Sequence, residues 1–529
     1  MTGSYPVWGW ARDPGDAPTE ADLRALVPLV RDHLGMPVQE PETPADLPAL
    51  PADRVSSRLP GSLARLSSAD PVDRARHSVG RSYRDVVRGI RGQLDQVVDA
   101  VLRPGSEADI AAVLEWAADH GVAVIPYGGG TSVVGGVEPT IAADWDGVVS
   151  LDLENLSGVA GVDQVSRAVR VRAGTPGPQL EQELKLHGLT ARFFPQSFER
   201  STVGGWIATR AAGHFSTRVT HIDDIVESVR AVTPVGSWES RRLPGSGAGP
   251  SPDRMLLGSE GTLGVVTEAW LRVQPRPTHR WAASVAAPTF AAGAAAVHSL
   301  VHEGLLPATC RLIDAAEAAT TGTLATGEAA LVLGFESYGA PVDTDAAHAL
   351  ALCADQGLRI VEAGMRGESG EAWRSSFIRA PYVREQLVLL GLVVETFETA
   401  ITWDRFDSLV ASVRSAGEDA LARTCGAGRL TCRLTHVYAD GAAPYFTVMA
   451  PARRGSELAQ WDEIKAAVSE AIIAAGGTIT HHHAVGRDHR KWYDAQRPDV
   501  FALALQGAKR AVDPAGLLNP HVLVNNDRQ

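Results

Sequence analysis

The run Gly121-Val-Ala-Val-Ile-Pro-Tyr-Gly-Gly-Gly-Thr-Ser132 decides the fold. Val122 to Ile125 is a short, β-branched apolar segment of the kind that forms a buried strand. It leads straight into Pro126-Tyr-Gly-Gly-Gly-Thr-Ser132. Consecutive glycines admit left-handed backbone and let a bulky group approach the peptide units closely. Bare N–H groups in such a turn form a concave nest for an anion, and Thr131 and Ser132 add hydroxyl donors. A pyrophosphate suits that nest. No lysine follows the glycines, so this is not a Walker A loop, and it lacks the G-x-G-x-x-G of a dinucleotide-binding helix. By itself it reads equally well as a plain glycine turn.

Working outward, two more glycine-and-hydroxyl segments follow. Phe194-Pro-Gln-Ser197, Ser201-Thr-Val-Gly-Gly-Trp206 and Thr209-Arg-Ala-Ala-Gly213 make one, and Gly258-Ser-Glu-Gly-Thr-Leu-Gly-Val-Val-Thr-Glu268 makes the other. Three such clusters agreeing in one region point to a single extended ligand rather than to unrelated turns. Short strands alternate with helices around them: strands at 98–103, 122–125, 147–153, 168–173 and 225–234, and helices at 107–120 and 178–187. That order gives an α+β nucleotide-type domain.

Composition narrows the class. A chain of 529 residues, 45% of them hydrophobic, is long enough for two or three domains. Its formal net charge of -13 argues against a nucleic-acid partner. Four cysteines without a C-x-x-C pair suggest reduced thiols. The first ten residues lack a basic and an apolar signal region, and no stretch reaches the ~18 apolar residues of a membrane span. These features predict a soluble cytoplasmic protein.

The clusters at 126–132, 194–197, 201–206, 209–213 and 258–268 resemble the flavin-binding domain of the vanillyl-alcohol oxidase and p-cresol methylhydroxylase superfamily. The resemblance implies FAD. It assigns the pyrophosphate to Pro126, Gly128, Gly129, Gly130, Thr131 and Ser132. It assigns the flavin to Pro195, Ser197, Thr202, Gly204, Gly205, Thr209 and Gly213, and the rest of the site to Glu260, Gly261, Gly264 and Val266. Covalently flavinylated members often carry a His in or near the first loop; here it reads YGGGTS, so non-covalent FAD is expected. The fold class that follows is α+β, a two-part FAD-binding domain plus an α+β cap with an antiparallel sheet. The expected division is an N-terminal helical and loop extension (1–95), the FAD-binding domain (96–275), a cap or substrate domain (276–480), and a histidine loop returning to the FAD domain (481–529). The cap sheet is expected to be small, with helices on one face. The Trp8-Gly-Trp10 pair reads as an anchor packed on the body.

The second half supplies the candidates for chemistry. Arg311 follows Pro307-Ala-Thr-Cys in an apolar strand, and Arg384 ends Pro381-Tyr-Val-Arg. Surface ion pairing is the default for Arg, but a planar guanidinium among apolar neighbours suits a carboxylate or phosphate. Tyr445 lies in an apolar strand and reads either as core or as an active hydroxyl. His481, His482 and His483 form a triplet. On extended backbone the first and third share a face. A metal site would need a further ligand, and His489 is the near one in sequence. No metal is expected; a polar turn and imidazoles beside an acid–base centre remain the two readings.

Taken in order to the final Asp513-Pro-x-x-x-x-Asn519, these features resemble the alkyldihydroxyacetonephosphate synthase family. The resemblance implies proton abstraction at Tyr445, substrate phosphate near Arg384, an active-site arginine at Arg311 and the histidine triplet beside the flavin. It also implies an ether-lipid reaction: acyl-dihydroxyacetone phosphate exchanges its acyl group for a long-chain alcohol, with the flavin as a covalent electrophile and no net redox. Phe193 stands where that family carries a functional His. The alternative is an FAD-dependent oxidase or dehydrogenase of a 2-hydroxy acid or alcohol, which the same residues would serve by hydride transfer to flavin. Expected partners are a small-molecule or lipid-like substrate and no nucleic acid. Peripheral membrane contact and a homodimer stay open.

Overall fold

The computed structural model describes residues 8–10, 17–141, 143–215, 217, 221–324, 326–364 and 380–525. The strand Val122–Tyr127 is buried almost throughout and pairs in parallel with Gly147–Asp152, which pairs in parallel with Ala100–Leu102. Helix Glu107–Asp119 covers this sheet. Its first turn is capped by the Ser106 hydroxyl, which accepts the Asp109 N–H at 3.1 Å, and it buries Ile110, Val113, Leu114, Trp116 and Ala117. A five-stranded antiparallel sheet follows in the order Val159–Asp163, Ala168–Arg172, Val265–Arg272, Val226–Thr233 and Gly236–Glu239. The parallel and antiparallel sheets share one apolar core, in which Phe193 packs on Trp206 at 5.1 Å.

The second half is built on an eight-stranded antiparallel sheet. Its order is Arg359–Gly364, His279–Ala287, Ala329–Ser337, Thr309–Ile313, Arg429–Val437, Gly441–Pro451 and Leu392–Glu398, with Ile401–Thr402 pairing beside Gly441. The expectation of a small sheet is corrected. The long strands His279–Ala287 and Gly441–Pro451 do not advertise themselves locally: buried on both faces, they read as continuous apolar runs rather than alternating ones. Helices Phe290–His302, Asp343–Asp355, Trp403–Cys425 and Glu457–Ala474 supply the rest of this core. Trp8, Leu23, Val30, Leu34, Met36 and the helix Tyr83–Ile90 join the same core, while Val55 and Leu63 pack in the core of the first half, so the N-terminal extension is shared between the two.

The tail crosses back. After helix Asp499–Val512, the Val124 N–H donates to Leu517 O and the Asn519 N–H to Val124 O, each at 2.9 Å. Buried Lys509 fixes this return by donating to Thr262 O, Leu518 O and the Asp513 carboxylate. No helix among the described residues is long and apolar enough to cross a membrane, and the four cysteines are free.

Candidate functional site

Between the glycine clusters and the cap sheet lies a cavity of about 340 Å³. Its first wall is the predicted nest. Among the described residues, the N–H groups of Gly128, Gly129, Gly130 and Thr131 have no protein acceptor. The glycines are also required by the protein itself: a Cβ at Gly129 would sit 1.9 Å from the Arg200 carbonyl oxygen, and one at Gly130, where φ is +64°, 1.9 Å from the Tyr127 hydroxyl. Pro126, Ser132, Pro195, Ser197, Thr202, Gly204, Gly205, Thr209 and Gly213 continue this wall, and Glu260, Gly261, Gly264 and Val266 complete it. Buried N–H groups are nearly always paired. A row of four without protein partners, on a concave turn lining a cavity, fits a pyrophosphate and therefore FAD.

Two of these residues are partly engaged elsewhere. Thr209 donates its hydroxyl to Gly205 O at 2.8 Å. Glu260, at φ +49°, lends its backbone oxygen to the Asn519 amide at 2.8 Å, while its carboxylate turns to the histidine loop.

The opposite wall comes from the cap. Arg311, on Thr309–Ile313, is 1% exposed and donates its Nη groups to the backbone oxygens of Thr435 and His214. Burial lowers its guanidinium to about 9. Arg384 stands on helical residues 380–389 and donates to Arg81 O; its Nε is buried without an acceptor. Arg433 lies 4.0 Å over the Tyr445 ring and pairs with Glu317 at 2.5 Å. Burial raises the Tyr445 phenol, with Arg433 opposing it. That direction disfavours a tyrosinate and favours a hydroxyl that keeps its proton.

The histidine triplet is not extended. The Glu398 carboxylate, fully buried at the end of Leu392–Glu398, accepts the N–H of His481 at 2.6 Å, of His482 at 3.1 Å and of His483 at 2.9 Å. Three consecutive N–H groups can converge on one carboxylate only if the chain curls, so the alternating arrangement is corrected. His482 and His483 line the cavity, whereas His481 turns behind them. Two residues on, Glu260 accepts the N–H groups of Val485 and Gly486, each at 2.8 Å. One carboxylate from each side of the cavity thus grips the same loop. Burial lowers His483 to about 3 and His481 well below the ordinary imidazole range.

Around His481 sits a cluster that sequence spacing does not reveal. His436, from Arg429–Val437, lies with its ring 4.5 Å from that of His481, and Tyr438 and His221 both reach His481 Nε2. Ligand nitrogens of His436, His481 and His482 come within 4.8 Å of one another, so His436, not the expected His489, is the imidazole added to the triplet. His489 instead donates its Nδ1–H to the Ala484 carbonyl oxygen of its own turn at 3.0 Å. Both nitrogens of His481 are already hydrogen-bonded, and buried Arg311 is close enough to His436 to disfavour positive charge there.

The other residues that sequence reasoning missed are Glu398, Arg433, His214 and Trp10. Glu398 and Arg433 did carry a signal, a charge inside an apolar strand. Phe193 is fully buried against Trp206 and outside the cavity, but His214, whose N–H donates to Phe194 O at 2.8 Å, brings an imidazole to the cavity beside it.

The FAD binding domain family matches residues 98–240, and the C-terminal domain of FAD linked oxidases matches residues 276–523. An alkyldihydroxyacetonephosphate synthase of Caenorhabditis elegans is 30% identical over 481 residues, 83% of this chain and 78% of the relative. The Dictyostelium discoideum protein of that name is 27% identical over 535 residues, 96% of this chain and 85% of the relative. A solved alkyldihydroxyacetonephosphate synthase structure superposes with a TM-score of 0.77 at 24% identity, covering 94% of this chain and 91% of that one.

Proposed function

This chain belongs to the alkyldihydroxyacetonephosphate synthase family of FAD-dependent enzymes, and from that membership and the chemistry of its cavity we propose that it forms an ether bond. In this reading acyl-dihydroxyacetone phosphate and a long-chain alcohol give alkyl-dihydroxyacetone phosphate and a fatty acid. The observation that carries it is the wall facing the glycine clusters, where Arg311, Arg384, Arg433, Tyr445, His482 and His483 meet on one cavity. FAD is taken to bind non-covalently through the N–H groups of Gly128 to Thr131, since that loop offers no side chain for a covalent link. When bound, the flavin supplies an electrophile for the reacting carbon without net redox.

Each cap residue then has a task its surroundings suit. Arg384 offers its unpartnered Nε to the substrate phosphate, as a planar fork does best. Arg311, its Nη groups held by carbonyls, acts as a fixed positive charge behind the reacting oxygens. Tyr445 keeps its proton and donates a hydrogen bond to a substrate oxygen. The exchange breaks the bond between the dihydroxyacetone carbon and the acyloxy oxygen, so that the fatty acid leaves as carboxylate, and joins that carbon to the alcohol oxygen; the alcohol proton must go to a base. His482 faces the cavity and can take it, while His483, lowered to about 3 by burial, stays a neutral neighbour. The enzyme is assigned to the cytoplasm, with a lipid-like substrate.

The test is anaerobic absorbance of the purified yellow protein. Bleaching of the flavin band by acyl-dihydroxyacetone phosphate, reversed by a fatty alcohol without an oxidant, is the expected result. Bleaching by a 2-hydroxy acid, reversed only by air or a dye, would replace this reading with hydride transfer.

A further inference from the structure

His482 lines the cavity, and among the described residues its Nε2 makes no protein hydrogen bond. Its Nδ1 lies 3.0 Å from His481 Nδ1. His481 Nε2 lies 2.6 Å from the Tyr438 hydroxyl and 3.2 Å from His221 Nε2. Tyr438 is half-buried and precedes the exposed turn Ala439–Asp440, whereas the Nδ1 of His221 is buried without a protein partner among the described residues. His482, His481 and Tyr438 therefore lead in three side-chain steps from the cavity towards the surface, and His221 offers no exit.

The middle link is suited to conduction. Burial keeps His481 neutral, so it holds one N–H and one lone pair, and both nitrogens are engaged. If Nδ1 accepts, Nε2 must donate; if Nδ1 donates, Nε2 must accept. A proton arriving at Nδ1 while another leaves Nε2 converts one state into the other, without net charge on the ring before or after. The Glu398 carboxylate, 3.3 Å from His482 Nδ1, favours a transient positive charge on that ring.

We infer that Tyr438, acting through His481 and His482, completes a proton-transfer chain that carries the alcohol proton from the cavity to solvent. This rests on the ether-forming reading, in which the alcohol loses its O–H proton and the departing fatty acid leaves as carboxylate, releasing one proton per turnover. In the chain the proton passes from the alcohol oxygen to His482 Nε2. His482 then gives up its Nδ1 proton to His481 Nδ1, and His481 Nε2 gives up its own to the Tyr438 oxygen as the Tyr438 hydroxyl proton passes to solvent.

The test compares Tyr438→Phe, which removes the exit, with His221→Gln, which removes only a neighbour of the same nitrogen, in the FAD-loaded enzyme. Tyr438→Phe is expected to lose about 10- to 100-fold in kcat, the range of a lost acid–base step, and His221→Gln well under that. KM for acyl-dihydroxyacetone phosphate should stay within about twofold, since neither residue touches that substrate. In Tyr438→Phe the solvent deuterium isotope effect on kcat should rise, and added imidazole should restore rate. Independently of turnover, 15N NMR of labelled histidine should show averaged Nδ1 and Nε2 shifts for His481 in the parent and a single fixed tautomer in Tyr438→Phe. A loss of kcat with neither isotope effect nor imidazole rescue means a structural role and overturns the chain, as do unchanged nitrogen shifts. If acyl-dihydroxyacetone phosphate is not turned over at all, the functional reading falls while the NMR comparison still decides the chain.

Discussion

Glu398 is the residue whose removal most directly tests how the cavity is built. In Glu398→Ala three N–H groups, those of His481, His482 and His483, lose their acceptor together with the Thr480 hydroxyl. A buried donor left without a partner costs about 1–3 kcal/mol, so four of them in a rigid loop would lose about 4–12 kcal/mol. Water entering the space left by the carboxylate offsets part of that, which leaves about 3–5 kcal/mol, the range found when one partner of a buried charge contact is removed. The Glu260 grip on Val485 and Gly486 remains, so the loop should shift rather than unfold. A shift of about 1 Å in groups that move a proton lowers the rate by about 10²-fold. The assay is kcat and KM with acyl-dihydroxyacetone phosphate, alongside bound flavin per chain from its visible absorbance. Expected are a kcat down at least about 10²-fold, KM changed by less than about threefold because Arg384 lies on another element, and full flavin loading. Glu398→Gln should fall between, since its amide keeps one acceptor oxygen and turns an NH2 towards the loop donors. Wild-type kcat in Glu398→Ala would refute the view that this carboxylate shapes the histidine wall.

Gly129→Ala should prevent FAD loading, because its Cβ would lie 1.9 Å from the Arg200 carbonyl oxygen and the loop could only move; a fully yellow variant would contradict this. Tyr445→Phe should lower kcat by about 10²-fold while leaving flavin bound, and unchanged turnover would remove its hydroxyl from the reaction. Glu138 supplies a pH test: burial, aided by Asp85 and opposed by Arg84, raises its carboxyl to about 9. A folded-state value raised above the ordinary carboxylate value of 4.5 means its contribution to stability is full below 4.5 and lost as pH climbs towards 9. Melting temperature should therefore decline between pH 7 and 9, and Glu138→Gln should flatten that decline; an identical slope in the variant would rule Glu138 out as its source.

The three glycine clusters were legible because their information is local. Glycine runs, adjacent hydroxyls and a preceding apolar strand lie within a few residues of one another, and each alone restricts the backbone. Helices such as Tyr83–Ile90, Phe290–His302 and Glu457–Ala474 were legible for the same reason, through caps and spacing. Helix Trp403–Cys425 was not. Gly417 interrupts its pattern, and that glycine is explained only by Leu430, whose Cδ1 would lie 2.3 Å from a Cβ there.

Sequence by itself located the three glycine clusters and singled out Arg311, Arg384, Tyr445, His482 and His483, which the fold brings to one cavity. Only the tertiary structure decided how those groups are aimed. His481 turns from the cavity because Glu398, 83 residues earlier, collects its N–H. His221, 260 residues away, and Tyr438 become its partners through pairing of strands and loops from both halves of the chain. Hydrogen-bond acceptors for a backbone N–H are chosen by proximity in space, and residue order records no such proximity between segments this far apart.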